Sequence, residues 1–550
     1  MTKKLTETYL QNLPTCVQEY IKLVIKKMRY RKKVRADVMA ELAAHFEDEL
    51  RDCKNDEKKE QKAQKLIEQF GDAKLLGILL RRAKKRCRPL WRTVVARTFQ
   101  TVSVLIVCLA IYLVWFFTGK PVITTNYITE LNRIVRPTAD ESLNAALLYN
   151  KAAEIYSKLP DDISKPLWGK YDEANDADRQ AVEKLLSDHK ETLDLVVAGT
   201  KKTYYWESYK SCQGDEMMGL FLPNVSEYRK LAYSLCWRAH FRARENRFEE
   251  AFDDIKSCYR LGRHLKRDTS LIEQLVGIAI QGLALQELRS ILSQNCPDSA
   301  LLAKLEQNFE QMTSNADFTI SLKTERLCMY DEIQRCFTED RIGGGHLYFP
   351  RIREISKLAG ESFPRKNRND TFGKIFRGWL NVIFTHPNKQ QTLKSINELY
   401  DDYEKEASKT PVQRHAEKAQ REKEFNELVS NNLFIGTLCP GLEKMVEINH
   451  RLPTDVRATQ TIIAVLRYRQ DKGQLPENLE QLVTTGYLKK LPIDPFGDKP
   501  FVYKRTGDNF LLYSIGSNFT DDGGEIARDN KGKAKKYTDE GDWVFWPVEK

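Results

Sequence analysis

The stretch from Thr98 to Phe117 contains 20 residues without a charge, TFQTVSVLIVCLAIYLVWFF. A helix rises about 1.5 Å per residue, so this length can cross a hydrocarbon core of about 30 Å. A buried core helix would usually carry a polar stripe, whereas the polar side chains here are small or lie near the ends. The sequence therefore predicts a transmembrane helix over residues 98–117, with the rest of the chain divided between two compartments.

The charges on either side of this helix predict its orientation. The first 97 residues hold 25 Lys and Arg against 13 Asp and Glu, while the whole chain holds 88 against 77. The basic residues are densest from Arg81 to Arg97, and Lys120 is the single lysine just after the helix. By the positive-inside rule the N-terminus is cytoplasmic and the C-terminus extracytoplasmic, in the cell (inner) membrane. We expect the stretch from Arg81 to Arg97 to bind anionic lipid.

The composition disfavours several classes of protein. The first residues, MTKKLTETYLQNLPTC, lack an apolar stretch, so the predicted span is expected to act as the export signal and to remain as the single anchor.

The exported part is close to neutral, which disfavours nucleic acid as a partner. It holds seven of the 11 cysteines, widely scattered and without a CxxC pair, so isolated buried thiols are expected, with one or two disulfides possible.

A helical bundle is predicted over residues 1–90. One apolar stripe repeats at every fourth position: Val34, Val38, Leu42, Phe46 and Leu50. A second helix should end at Gly71, a residue suited to a C-cap, and Asp72 should cap the next. With VRADVMAELAAHFEDEL and FGDAKLLGILLRR, this region resembles the HAAS-type helical domain found ahead of transmembrane segments in bacterial membrane proteins. The resemblance implies a domain that binds cytoplasmic protein partners.

Residues 121–445 are predicted to form an extracytoplasmic α-helical domain. Tyr228 to Leu265 should form a helical hairpin that turns at Asn246 and is similar to a tetratricopeptide-type hairpin, although one unit does not establish a repeat array. The apolar segment from Ser270 to Leu292 has 13 residues in its longest run without a charge. That run is short for a span, so we expect a buried helix.

The region of residues 454–550 is predicted to be a small α+β domain, in a chain that is otherwise mainly α. A helix ending at Gly473 precedes a loop rich in proline and glycine, a hairpin of FVYK and FLLYS, an acidic glycine loop and a final strand in GDWVFWP. This order, with YRQDKGQLP, LKKLPIDPFGDKPFVY, LYSIGSNFTDDGGE and GDW, resembles the globular domain of the major pseudopilin of type II secretion. The predicted span lies far upstream of this domain and no pseudopilin processing motif precedes it, so we expect a folding or docking module.

The loop from Ser514 to Glu525, SIGSNFTDDGGE, is the predicted metal site. The resemblance to the pseudopilin implies a calcium-binding loop, with Asn518, Asp521 and Asp522 among the ligands. Calcium prefers about six to eight oxygen ligands, and carboxylates, an amide oxygen and backbone carbonyls are available here. The alternative is an Asp/Gly turn without a metal. Phosphate is disfavoured because adjacent carboxylates would repel it.

No GxSxG, HExxH, GxxxxGK[ST] or GxGxxG motif occurs, so we predict no catalytic residues and no cofactor besides calcium. The predicted function is a non-catalytic, single-pass membrane protein, a partner-binding or scaffold component of a secretion-like or signalling assembly in the cell envelope, with protein partners on both sides. The alternative is an envelope-anchored hydrolase with its site in the helical domain. That alternative would need two or more of four residues to converge in one deep pocket: His240, His264, Glu325 and His346.

Overall fold

The computed structural model describes residues 10–548 apart from several gaps, the longest at 359–382. The shorter gaps are 54, 87–89, 170, 213, 218–223, 268–269, 314–319, 340–343, 385, 433–434, 436–441, 531, 536 and 539. The chain divides into two compact units, Met1–Trp115 and Phe116–Lys550. It is mainly helical, as the sequence predicts, and has two small sheets, one of them within the stretch predicted as a loop rich in proline and glycine.

The first unit begins with a helical bundle that has its own core. Its helices are α1 (Thr15–Met28), α2 (Lys32–Leu50), α3 (Asp56–Phe70) and α4 (Ala73–Arg86). The predicted stripe of α2 is confirmed, because Val38, Leu42, Phe46 and Leu50 are all buried. Gly71 follows α3 with a φ of +72°, and the Asp72 carboxylate accepts the backbone N–H of Lys74 at 3.2 Å at the start of α4. Both predicted helix ends are therefore present.

Two helices in the described part of the chain are long and apolar enough to cross a membrane. The first is α5 (Leu90–Thr118), in which Val94–Thr118 has a mean hydropathy of 2.4 and is 6% buried. The second is Leu271–Gln294, which has a mean hydropathy of 1.3 and is 67% buried. Both helices are long and apolar enough to cross a membrane, but the second is mostly covered by protein and the first is not.

The second unit continues with helices through residue 431. They are α6 (Tyr127–Val135), α7 (Ala146–Ser157), α8 (Asp161–Ser164), α9 (Asp176–Asp188), α10 (Lys190–Thr200), α11 (Val225–Arg244), α12 (Phe248–Leu265), α13 (Leu271–Gln294), α14 (Ser299–Thr313), α15 (Lys323–Cys336), α16 (Phe349–Leu358), α17 (Lys389–Glu406), α18 (Pro411–Ala416) and α19 (Lys418–Asn431). Short 3-10 turns lie at Glu141–Leu143, Lys165–Trp168 and Tyr171–Glu173.

The predicted hairpin is formed by α11 and α12. It turns at Asn246, whose φ of 61° is a left-handed conformation that asparagine adopts more readily than most residues. The next helix, α13, crosses α12 at two glycines. A Cβ at Gly262 would lie 2.6 Å from the carbonyl oxygen of Gly277, so the two backbones can approach only because both residues lack a side chain.

The C-terminal region contains α20 (Leu442–Lys472), α21 (Leu479–Thr484) and two antiparallel sheets. One sheet pairs β1 (Ile493–Asp494) with β2 (Lys499–Pro500). The other has the order β3 (Val502–Thr506), β4 (Asn509–Ser514) and β5 (Trp543–Trp546). Val502 pairs with Tyr513 in the β3–β4 hairpin, and the pairing of β4 with β5 shifts its register between Leu512 and Tyr513.

One cluster of buried side chains joins the helical region to the C-terminal sheet. It includes Trp237 of α11, Leu288 of α13, Ile463 of α20 and Phe510 of β4. Helix α20 is continuous across residues 445–454, where the sequence suggests a domain boundary. The helical region and the C-terminal sheet therefore share one core within Phe116–Lys550.

Candidate functional site

The acidic glycine loop connects β4 to the long segment that precedes β5. Its first residue, Ser514, ends β4 and donates its hydroxyl to Oδ1 of Asp494 at 2.8 Å. Oδ2 of the same carboxylate accepts the backbone N–H of Ile515 at 3.1 Å. The pKa of Asp494 is raised above its usual value because the carboxyl is buried, and these hydrogen bonds offset only part of that increase. Asp494 therefore fixes the start of the loop.

The loop is further closed by its own polar side chains. Oδ1 of Asp521 accepts the hydroxyl of Tyr513 at 2.7 Å, and this bond lowers the pKa of Asp521. The Asn518 amide donates to Oδ2 of Asp522 at 2.7 Å and accepts the backbone N–H of Thr520 at 3.0 Å. These contacts hold the three predicted ligands, Asn518, Asp521 and Asp522, within one loop.

A third carboxylate, from Asp542, reaches the loop from the start of β5. Its Oδ2 accepts the backbone N–H of Gly524 at 2.6 Å, while its buried Oδ1 has no hydrogen-bond partner. Burial raises the pKa of Asp542, and the charges of Asp521 and Asp522 raise it further. Asp542 therefore adds a third negative charge close to Asp521 and Asp522.

The residues present fit a calcium ion only with help from the backbone. Among the described residues, no group of three His, Cys, Asp or Glu side chains is placed to hold a metal ion. Asn518, Asp521 and Asp522 would therefore need backbone carbonyls and water to complete the six to eight oxygens that calcium prefers. Gly524 has a φ of +97°, a conformation that favours glycine, and a Cβ there would lie 2.6 Å from Cδ2 of Leu511. Calcium binding stays a prediction.

Adding calcium to the purified full chain should raise the midpoint of its unfolding transition, because a ligand that binds only the folded state stabilises it by about 2.7 kcal/mol at 100 times its Kd. The double variant Asp521→Asn with Asp522→Asn should lose the shift. Asp508→Asn, in the exposed turn between β3 and β4, should keep it. Differential scanning fluorimetry with calcium and with a chelator measures both. The absence of a shift in the wild type, or an equal shift in the double variant, would remove the calcium site.

Two of the four residues named for the alternative hydrolase have separate buried partners. His240 Nε2 lies 2.8 Å from Oε2 of Glu287, and its ring stacks on Tyr171 with centroids 4.4 Å apart. His264 Nδ1 lies 2.8 Å from the hydroxyl of Tyr149. Burial, together with nearby guanidinium groups, lowers the pKa of His264 to about 3, so this imidazole is neutral at pH 7. Both rings are packed as parts of the core.

The other two residues lie on different elements. His346 precedes α16 and stacks on Phe116 with centroids 4.7 Å apart, and burial raises the pKa of Glu325 in α15. A groove of about 80 Å³ between α12, α13 and α14 is lined instead by residues such as Leu305 and Phe309. These contacts do not gather the four named residues into one pocket.

Asp494 and Asp542 both shape the loop, although neither is among the predicted ligands. Asp494 lies in IDPFG, where an aspartate before proline and glycine is typical of a side chain that bonds its own turn. Asp542 follows Gly541 ahead of the final strand, and no local pattern connects it with a loop 18 residues upstream. A long-range contact of this kind leaves no periodic signal in the sequence.

The described cysteines are all free thiols. Cys236 of α11 and Cys258 of α12 are buried with their sulfur atoms 3.6 Å apart, a non-bonded contact between facing helices. Both thiols are buried as expected, but they are in contact and not isolated; Cys336 is also buried, whereas Cys212 is exposed.

No protein-family model, no curated protein and no solved structure matches this chain. The resemblances to the HAAS-type domain and to the pseudopilin therefore stay predictions from sequence.

Proposed function

We propose that this chain is a non-catalytic, single-pass membrane protein that binds protein partners on both sides of the cell membrane. The observation that carries the proposal is the contrast between its two apolar helices. The apolar window of Val94–Thr118 is 6% buried, whereas that of α13 is 67% buried within a protein core. A long, uncovered apolar helix is stable in lipid and not in water.

In this arrangement the helical bundle of Met1–Trp115 is cytoplasmic and Phe116–Lys550 is extracytoplasmic. The excess of basic residues from Arg81 to Arg97, immediately before the apolar window, supports this orientation. Those residues would also contact anionic lipid at the cytoplasmic surface.

Several charged side chains of the large unit pair with one another, and we take these pairs as structural and not catalytic. Arg351 Nη2 lies 2.7 Å from Oε1 of Glu332 and 2.8 Å from Oε2 of Glu216. Arg335 Nε lies 3.0 Å from Oδ2 of Asp331 on the same helix. Ion pairs of this kind are expensive to break and fix a conformation. The pair of Arg351 with Glu332 joins α16 to α15.

The segment that follows the apolar helix is tied to α15. The side chain of Gln334 donates to the carbonyl of Thr125 at 2.8 Å and accepts the backbone N–H groups of Thr124 and Thr125 at 3.3 and 3.2 Å. These three bonds hold residues 124 and 125 against α15 within Phe116–Lys550.

The two resemblances suggest the class of partner on each side. A HAAS-like bundle favours a cytoplasmic protein, and a pseudopilin-like terminal region favours an envelope assembly, secretion-like or signalling in type. We therefore propose a scaffold that connects a cytoplasmic protein with such an assembly.

Site-specific photo-crosslinking in intact cells tests this proposal. A photoreactive amino acid replaces Leu23 of α1, which is 45% exposed, or Leu147 of α7, which is 80% exposed. We expect Leu23 to yield adducts with cytoplasmic proteins and Leu147 to yield adducts with envelope proteins. The exposed Lys151, in the same helix as Leu147, is the background control. Adducts from one compartment at both positions would overturn the topology, and yields no higher than at Lys151 would overturn partner binding.

A further inference from the structure

The outer face of α4 is apolar and uncovered. Leu75, Ile78 and Leu79 are 59%, 37% and 50% exposed, and their spacing places them on one side of the helix. The opposite side is in the bundle. A Cβ at Gly77 would lie 2.9 Å from the carbonyl oxygen of Val24, so α4 lies directly against α1 there. The apolar stripe is therefore a second face of α4 that the bundle does not use.

The charge of α4 restricts what can cover this face. The helix sequence AKLLGILLRRAKKR contains six basic residues and no acidic one. Lys84 pairs with Glu41 at 2.9 Å, while Arg81, Arg82 and Lys85 are exposed. A second copy of α4 would bring like charges together, which is unfavourable. A surface that is both apolar and negatively charged would bury the apolar residues and attract the basic ones.

The chain itself places α4 near such a surface. Three residues separate the end of α4 at Arg86 from the start of α5 at Leu90, and the apolar window begins at Val94. Since an extended residue spans at most about 3.6 Å and a helical residue about 1.5 Å, the end of α4 lies within about 20 Å of the start of the window. If the window spans the bilayer, the C-terminal end of α4 is held within about 20 Å of the cytoplasmic edge of the hydrocarbon core.

We propose that the face formed by Leu75, Ile78 and Leu79 lies in the cytoplasmic headgroup layer of an anionic bilayer, with Arg81 and Arg82 against lipid phosphates. The inference rests on the proposed function, because it requires α5 to span the membrane. A helix with apolar residues on one side and flanking basic residues binds the interface by burying its apolar face to about 5–10 Å while the cations attract anionic lipid. The bundle would thereby be docked flat on the membrane, with its other faces available to a cytoplasmic protein.

Fluorescence quenching by brominated lipids tests the contact in the full chain reconstituted into nanodiscs. An environment-sensitive fluorescent amino acid replaces Leu79, and a control protein carries it at the exposed Lys58 of α3. In discs that contain phosphatidylglycerol, quenching at position 79 should be at least about twofold greater than at position 58. Arg81→Gln with Arg82→Gln should reduce the quenching at position 79, as should discs of phosphatidylcholine alone.

The outcomes separate this inference from the proposed function. Equal quenching at positions 79 and 58 in a protein that still enters discs would contradict the contact between α4 and lipid, while the proposal that α5 spans the membrane would stand. A blue shift at position 79 without lipid quenching would assign the face to a second copy or another protein instead. Failure of the chain to enter discs at all would contradict the proposed function itself.

Discussion

Replacing Arg289 with alanine should lower the free energy of unfolding of Phe116–Lys550 by about 3–5 kcal/mol, the usual cost of leaving one member of a buried ion pair alone. Arg289 of α13 is 1% exposed. Its guanidinium lies 3.1 Å from Oδ1 of Asp455 and donates to the Thr459 hydroxyl at 2.7 Å, both on α20. The hydroxyl of Tyr537 donates to the other oxygen of Asp455. Arg289 therefore joins the helical region to the C-terminal region through one buried carboxylate.

Urea denaturation of the detergent-purified chain, followed by tryptophan fluorescence, measures this effect. Arg247→Ala is the matched control, because Arg247 pairs with Glu250 at the surface, where both side chains are about half exposed. We expect its midpoint to stay close to the wild type. The double variant Arg289→Met with Asp455→Leu should recover part of the loss, since it leaves no unpaired charge. A midpoint for Arg289→Ala equal to that of Arg247→Ala would show that the contact does not join the two regions.

Placing arginines at Val104 and Val107 should release the chain from the membrane. Both residues are more than half exposed, at 61% and 56%, in the middle of the apolar helix. An arginine near the centre of a spanning helix costs about 2.5–3.5 kcal/mol on insertion scales, so two in adjacent turns should prevent stable insertion. We expect the variant to leave the membrane fraction on alkaline carbonate extraction, whereas the wild type stays in it.

An arginine in the core of the second apolar helix, α13, should have a different result. Ile280 of α13 is 2% exposed in the protein core. We expect Ile280→Arg to unfold the large unit, which protease sensitivity detects, while the protein stays in the carbonate-resistant fraction. If the Val104 and Val107 variant stays in the membrane and the Ile280 variant leaves it, the two helices have been assigned to the wrong environments.

Local pattern was enough to predict several elements of the fold. The stripe of α2, the cap at Asp72 and the hairpin turn at Asn246 each depend on residues within a few positions of one another. Side-chain periodicity and capping residues record such local geometry directly. The β3–β4 hairpin was also predicted, because its strands are joined by a two-residue turn at Gly507 and Asp508.

The candidate loop was predicted only in part. Its own residues Asn518, Asp521 and Asp522 stand together in the sequence, but the carboxylates that support it come from β1 and from the start of β5. Asp494 is 20 residues from Ser514, and Asp542 is 18 residues from Gly524. These contacts form because three strands bring distant segments side by side, which no window of sequence contains.

By itself, the sequence determined the apolar helix, the basic residues before it and the order of the main elements, because hydrophobic length, charge and periodicity are properties of neighbouring residues. The short uncharged run of α13 also predicted a buried helix, and its 67% burial agrees with that expectation. Only the tertiary structure decided that α20 shares its core with the helices before it. Arg289 and Thr459 are 170 residues apart in the chain, and their contact depends on how whole helices pack. Which distant helices share a core is a property of the completed fold, because it depends on contacts that no short window of sequence contains.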